Sequence, residues 1–245
     1  MRILISGGKG LLAKELIKSN YRHEIISYSH EYMNISQYSN IFDIVNKANK
    51  CNKNFDIFLH CAAMTHPMKN HYTYPIKSIC NNIIGTANVA MICKEFNIKP
   101  VYISTDYVYP GDLIKDDSYT EDDIIKPVDN YGWSKLGGEC SINMIENHLI
   151  LRCCFSQRPF RHKSAFINLY KSYIYVDEIA PIIWKLIDKD CYGTYNVGGK
   201  KQSVYEFAKI SVPNVKPIST NTVKEKLPYN TSMDISKLQL ELNND

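Results

Sequence analysis

The chain has 245 residues, 44% of them hydrophobic and 22% charged, with a formal net charge of +4. That hydrophobicity excludes a disordered chain and suffices for one large core, or for a core with a smaller second lobe. Lysines spread over most of the length exclude a nucleic-acid surface built on bulk charge and leave only a local basic patch for phosphates. Eight cysteines show neither a Cys-x-x-Cys pair nor zinc-finger spacing, so no metal site is expected, and several fall in apolar runs such as Leu59-His60-Cys61-Ala62-Ala63. That usage points to a reducing, cytoplasmic compartment. The N-terminal apolar run, Ile3-Leu4-Ile5, is too short for a signal peptide, and no later run is long enough to span a membrane.

In chain order, Ile3 to Ser6 reads as a buried parallel strand that runs straight into Gly7-Gly8-Lys9-Gly10-Leu11-Leu12-Ala13 and a helical pattern through Ile17. A strand, a glycine turn and a helix form a phosphate cradle: Gly7 permits the tight turn, Gly10 a close approach of pyrophosphate, and Ala13 close helix packing. Gly7, Lys9, Gly10, Leu11 and Leu12 are therefore expected cofactor contacts. A second strand, Glu24 to Tyr28, ends at Ser29-His30, where an NAD site would carry an acid for the ribose hydroxyls and none stands. With Lys9 available for a 2′-phosphate, the cofactor expected is NADPH, with NADH left open.

A helix near Ile41 to Ala48 precedes a third strand, Phe55 to Leu59. Ala62 and Ala63, just past its carboxyl end, are small enough for a cofactor to lie against the backbone, while His60 reads as structural. One helix is expected from Pro75 to Phe96, with Asn82 in its first half and Gly85 marking close packing. A fourth strand, Lys99 to Ser104, runs into Thr105-Asp106-Tyr107-Val108-Tyr109-Pro110-Gly111, which sets a hydroxyl at the cofactor's side. Residues 111–130 read as a loop whose acids, Asp116 to Asp123, are solvated. Tyr131-Gly-Trp-Ser-Lys135 then opens a helix to about Asn147. Four residues apart, the phenol and ammonium share a face, so the ammonium can sit beneath the phenol and favour its ionised form.

After a fifth strand, Leu149 to Arg152, the run from Cys153 to Lys163 is basic and aromatic, and Arg158, Arg161 and Lys163 are candidates for a nucleoside diphosphate. Asp177 is expected to cap a helix through Ile187, Ser203 with Glu206 to form a capping box, and Asp234 to open a final helix. Alternating strands and helices predict an α/β fold: a Rossmann-type doubly wound parallel sheet in residues 1–152 that binds NAD(P), with a small substrate-binding lobe in 153–245, some of whose segments return to the sheet.

The ordered set Gly7-x-x-Gly10-x-x-Ala13, His60-Cys-Ala-Ala63, Asn82-x-x-Gly-Thr86, Ser104-Thr-Asp-Tyr-Val-Tyr-Pro-Gly111 and Tyr131-Gly-x-Ser-Lys-x-x-Gly-Glu139 resembles the extended short-chain dehydrogenase/reductases. Within them it is most similar to the dTDP-4-dehydrorhamnose reductase family. The resemblance implies reduction of the 4-keto group of a nucleotide (UDP or dTDP) 4-keto-6-deoxyhexose, in nucleotide-sugar biosynthesis of a rhamnose type. It implies that Tyr131 donates the proton, Lys135 supplies the field and binds the nicotinamide ribose, Thr105 polarises the carbonyl, and Asn82 supports the lysine through a water. Tyr107 stands where related 3- or 3,5-epimerase/4-reductases carry a cysteine, which favours a simple reductase; Tyr107, His162 and Cys154 are the spare acids or bases. A non-catalytic NADP-binding regulatory subunit, like the methionine adenosyltransferase β subunit, is the rival from another class. The chain departs from the family in a shorter region after Arg152 and in Leu227-Pro228, where the family has an arginine before the proline. The oligomeric state stays open, a homodimer included.

Overall fold

Side chains alternate between the two faces of a strand, and here both faces are apolar: Ile3 and Ile5 enter one layer, Leu4 the other, and none is exposed to solvent. A sheet with two apolar faces needs a helical layer on each side. The structure, a computed structural model, describes residues 1–65, 67–112, 117–223 and 227–243.

The chain opens with β1 (Arg2–Ser6), α1 (Leu11–Ser19), β2 (Glu24–Tyr28), α2 (Tyr38–Lys50) and β3 (Ile57–His60). Short helices α3 (Asn70–Thr73) and α4 (Pro75–Ser78) lead through a π turn, Ile79–Ile84, into α5 (Gly85–Glu95). β4 (Lys99–Thr105) ends in a 3-10 turn, Asp106–Val108, before α6 (Asn130–Ile142) and β5 (Leu149–Cys153). There follow β6 (Phe155–Ser156), β7 (Ser164–Phe166), β8 (Tyr170–Lys171), β9 (Ile174–Tyr175), α7 (Val176–Asp188) and β10 (Gly193–Val197). β11 (Gln202–Ser203), α8 (Val204–Lys209), β12 (Lys216–Ile218) and α9 (Ser236–Asn243) complete it.

The six-stranded sheet is ordered β2-β1-β3-β4-β5-β10 and is parallel throughout, the doubly wound sheet expected. The chain reverses direction across the sheet between β1 and β3, and the carboxyl ends there diverge into a crevice. α1, α7 and α9 contribute to the core on one face; α2 and α5 pack on the other. β10 and α7, from beyond residue 152, thus join the sheet and its covering layer. A smaller core built on Phe160, Leu169, Tyr175, Val204 and Phe207 lies among the short strands that follow β5.

Three local expectations change. The single helix expected from Pro75 to Phe96 is interrupted by the π turn, an inserted residue's worth of backbone that carries Asn82; Gly85 follows it, where a Cβ would stand 2.8 Å from Ile35 Cδ1. Asp177 does not cap α7: the cap is Tyr175, two residues earlier, where β9 pairs with β6, and Glu178 accepts the Tyr175 N–H at 3.1 Å. The acids of residues 111–130 are not uniformly solvated. Asp122 and Asp123 are exposed, but Glu121 accepts Asn196 N at 2.8 Å, and Tyr119, stacked on Tyr109, bridges to Met233. Asp116 lies outside the described residues. The capping box of Ser203 and Glu206 forms, and Asp234 accepts Ser236 N at 2.7 Å at the start of α9.

Candidate active site

The glycine turn works through its backbone. Gly7 adopts φ +71°, and a Cβ there would lie 2.8 Å from the Ala62 Cα, so no other residue fits both the conformation and the space. Gly10 is the N-cap of α1, leaving the first amides of the helix without intrahelical partners, which suits a phosphate. A cleft of about 450 Å³ opens there, walled by Gly7, Lys9 and Gly10 on one side, Cys61 to Met64 on another, and Ser29, His30 and Glu31 at its mouth. It lies at the reversal between β1 and β3. Leu12 turns its side chain into the core, so only its amide can meet a ligand, and Leu11 is exposed.

The acid expected to be absent after β2 is present one residue later. Glu31 reaches into the mouth of the cleft and pairs with Lys9 at 2.7 Å, which holds its carboxyl below the ordinary range. Spacing alone missed it because the loop turns after Ser29, whose carbonyl accepts Tyr32 N and Met33 N. His60 is a structural pin: its ring bonds Ser6 Oγ at 2.7 Å and Thr86 Oγ1 at 3.1 Å, and burial holds it at about 3, so it stays neutral.

Thr105, Tyr131 and Lys135 converge at the carboxyl end of β4. Asp129 caps α6 by accepting Gly132 N at 2.7 Å, and Gly132 lets the helix start press against the Tyr107 carbonyl where a Cβ would clash. Burial raises the Tyr131 phenol well above its usual range, against the neighbouring Thr105 hydroxyl, which lowers it. Lys135 Nζ sits 4.0 Å over the Tyr102 ring, and burial lowers it to about 7 while Glu139 raises it. Rings of Tyr107 and His71 flank Tyr131 at 5.8 and 5.2 Å. Asn82 is buried and ties the cleft wall to α6. Its amide accepts Met64 N at 2.7 Å and donates to Met64 O at 2.9 Å and Ser134 Oγ at 2.8 Å.

Two buried ion pairs brace the cluster, and neither is evident in the sequence. Arg152 bonds Glu139, which also accepts from Ser104. Lys171, from β8, pairs with Asp106. The signal for the second was an acid adjacent to Thr105, but its partner lies 65 residues away.

The basic run after β5 divides. Arg158 pairs with Asp177 at 3.2 Å and Glu178 at 3.0 Å and lies 3.8 Å over the Tyr175 ring, which braces the start of α7. Arg161 and Lys163 are exposed. Among the described residues no His, Cys, Asp and Glu side chains group as metal ligands, and no helix is long and apolar enough to cross a membrane.

The sequence model of the family described as RmlD substrate binding domain matches residues 1–166. The chain is 29% identical over 178 residues to a dTDP-D-glucose 4,6-dehydratase of Dictyostelium discoideum, a match spanning 58% of this chain and 41% of that protein. It is 25% identical to the methionine adenosyltransferase 2 subunit beta of Rattus norvegicus across 97% of this chain and 81% of that one. Its fold superimposes with a TM-score of 0.85 on a Bacillus anthracis dTDP-4-dehydrorhamnose reductase solved with NADP, at 27% identity over 98% of this chain and 92% of that one.

Proposed function

The chain belongs to the RmlD substrate binding domain family, and from that premise we propose that it is an NADPH-dependent reductase of the 4-keto group of a nucleotide-linked 6-deoxyhexose. The observation that carries the proposal is the half-buried Tyr131, at the start of α6 and beside Thr105 at the end of β4, next to a cleft walled by the glycine turn. The cradle at Gly7 and Gly10 and the open amides of α1 fit a dinucleotide, and when bound the cofactor supplies the hydride. Tyr131 then donates its proton to the carbonyl oxygen; burial keeps the phenol protonated until charge develops there. Thr105 steadies that oxygen or the phenolate left behind. Lys135, on the buried face of α6, supplies positive charge to the site while it is protonated, its value being lowered by burial to about 7.

For the cofactor, Lys9 would meet a 2′-phosphate and Glu31 a ribose hydroxyl, so NADPH is favoured while NADH fits the same pair. In this proposal residues 1–152 hold the cofactor and 153–245 choose the sugar, with Tyr107, Arg161 and Lys163 on the substrate side. A simple reductase is favoured over an epimerase/reductase because the position of the epimerising cysteine is filled by a tyrosine. Tyr107 stands where the epimerising relatives carry a cysteine, and burial raises the Cys154 thiol, so neither supplies a ready thiolate.

Oxidation of NADPH with UDP- and dTDP-4-keto-6-deoxysugars tests the proposal, and folded protein that turns over none of them would sink it. The likeness to the adenosyltransferase subunit across nearly the whole chain favours one rival, a regulatory NADP-binding subunit. Co-purification of a partner enzyme whose activity is unaffected by Tyr131→Phe would establish that rival instead.

A further inference from the structure

The Thr105 hydroxyl has one proton and two claimants. Its oxygen donates to Asp106 Oδ1 at 3.2 Å and accepts Tyr107 N at 3.3 Å, and the hydroxyl lies close enough to the Tyr131 phenol to favour its ionised form. Asp106 is buried, and its other oxygen is held from a distance: Lys171 Nζ and Thr231 Oγ1, the latter at 2.6 Å, both donate to Oδ2. Lys171 also donates to Thr231 Oγ1 at 2.9 Å and lies 3.9 Å over the Tyr107 ring. A carboxylate fixed in this way at Oδ2 presents Oδ1 to Thr105 in a single orientation.

We propose that Asp106, anchored by Lys171 and Thr231, is a positioning residue that sets where the Thr105 proton points, and through Thr105 orients the Tyr131 phenol. The proposal rests on the reductase reading of Tyr131. At rest the Thr105 proton lies towards Asp106, so the Thr105 oxygen is free to accept the Tyr131 O–H and hold the phenol in place. As Tyr131 passes its proton to the substrate's carbonyl oxygen, a phenolate remains and needs a donor. The Thr105 proton swings from Asp106 Oδ1 to the phenolate, the Thr105 O–H bond staying intact. Asp106 tolerates the loss because Lys171 and Thr231 still donate to Oδ2, and no proton leaves the Asp106–Lys171 pair. Burial pulls the Lys171 ammonium down, but Asp106 and the facing Tyr107, Cys154 and Tyr173 hold it well above its ordinary range, so it remains a cation. Lys171 and Thr231 both come from beyond residue 152. The catalytic hydroxyl of the cofactor-binding half is therefore oriented by the half that chooses the sugar.

A double-mutant cycle on the full chain, with NADPH and the keto-sugar, tests this. Lys171→Met alone is expected to lower kcat by roughly 30-fold with KM changed by less than about threefold, and to cause no further loss in a Thr105→Val background. Full multiplication of the two losses, or an effect confined to KM, overturns the proposal. If Lys171→Met does not fold, Thr231→Val carries the same cycle with an expected loss of about fivefold. A readout independent of turnover is the C–O stretch of the Tyr131 phenol, taken as an infrared difference against Tyr131→Phe. Asp106→Asn and Lys171→Met should both move that band, and a band unmoved in both overturns the proposal. Wild-type protein inactive on every keto-sugar, with the band still moving, defeats the reductase reading while leaving the Asp106 device in place.

Discussion

The glycine-turn cleft and the cluster around Tyr131 stand side by side and are built by opposite means. The cleft is backbone: a left-handed glycine against Ala62, a helix start with open amides, and an exposed Lys9–Glu31 pair at its mouth. The cluster is side chain, and burial has displaced its titrations, with Lys135 brought down to about 7 and Tyr131 carried above the phenol range. A surface that binds a phosphate can remain wet, because amide dipoles act at contact distance. A proton donor must be shielded, and shielding demands buried partners such as Asp106 with Lys171 and Glu139 with Arg152.

That contrast is sharpest at Tyr131. Tyr131→Phe removes the proton donor and leaves the packing, so turnover of the keto-sugar should fall by about 10² to 10⁴-fold with cofactor affinity unchanged. Equal losses in turnover and cofactor binding would blur the two regions into one. On the cleft side, Gly7→Val should abolish measurable cofactor binding and destabilise the fold by about 1–3 kcal/mol, through the positive φ and the approach of Ala62. Denaturant unfolding together with cofactor titration separates the two effects.

Lys135 distinguishes the regions by pH. Burial depresses its folded value to about 7, whereas in the unfolded chain lysine keeps its proton to about 10.4. Between those values the unfolded chain binds the extra proton, so this group makes stability rise with pH across the window, and its penalty is complete below about 7. Lys135→Met should therefore melt higher than wild type below pH 7, converge with it as pH approaches 10, and lose activity throughout. A melting difference that ignores pH would show that Lys135 is not desolvated in solution.

At the mouth of the cleft, where solvent screens the charges, effects shrink. Lys9→Ala should weaken NADPH roughly tenfold and NADH little, while Glu31→Ala should weaken NADH more than NADPH. Equal losses of both cofactors in Lys9→Ala would remove Lys9 from the 2′-phosphate. The smallest change belongs to Arg158→Ala, a half-exposed brace of α7, expected to lower stability by about 0.5–1 kcal/mol with KM for the sugar unaltered. A large rise in KM would return Arg158 to the substrate.

Much of this contrast could be read from the residues. Strand, glycine turn and helix follow one another without a break, so the cradle is local, and the sheet's continuous apolar strands announce burial on both faces. Tyr131 and Lys135 are four residues apart on one helix, and their order behind Thr105 carried the family resemblance. What spacing could not convey was direction. Lys135 turned towards Tyr102, Asn82 towards Met64 and Ser134, and Arg158 towards Asp177 and Glu178.

By itself the sequence determined the doubly wound sheet, the phosphate turn and the presence of Thr105, Tyr131 and Lys135, because each depends on neighbours within a few residues. Only the tertiary structure decided that Glu31 meets Lys9, and that Lys171 and Thr231 reach Asp106 beside Thr105. Those contacts join segments from 22 to 125 residues apart. Their pairing depends on how the layers pack and on the need of each buried charge for a partner, conditions that no local pattern records.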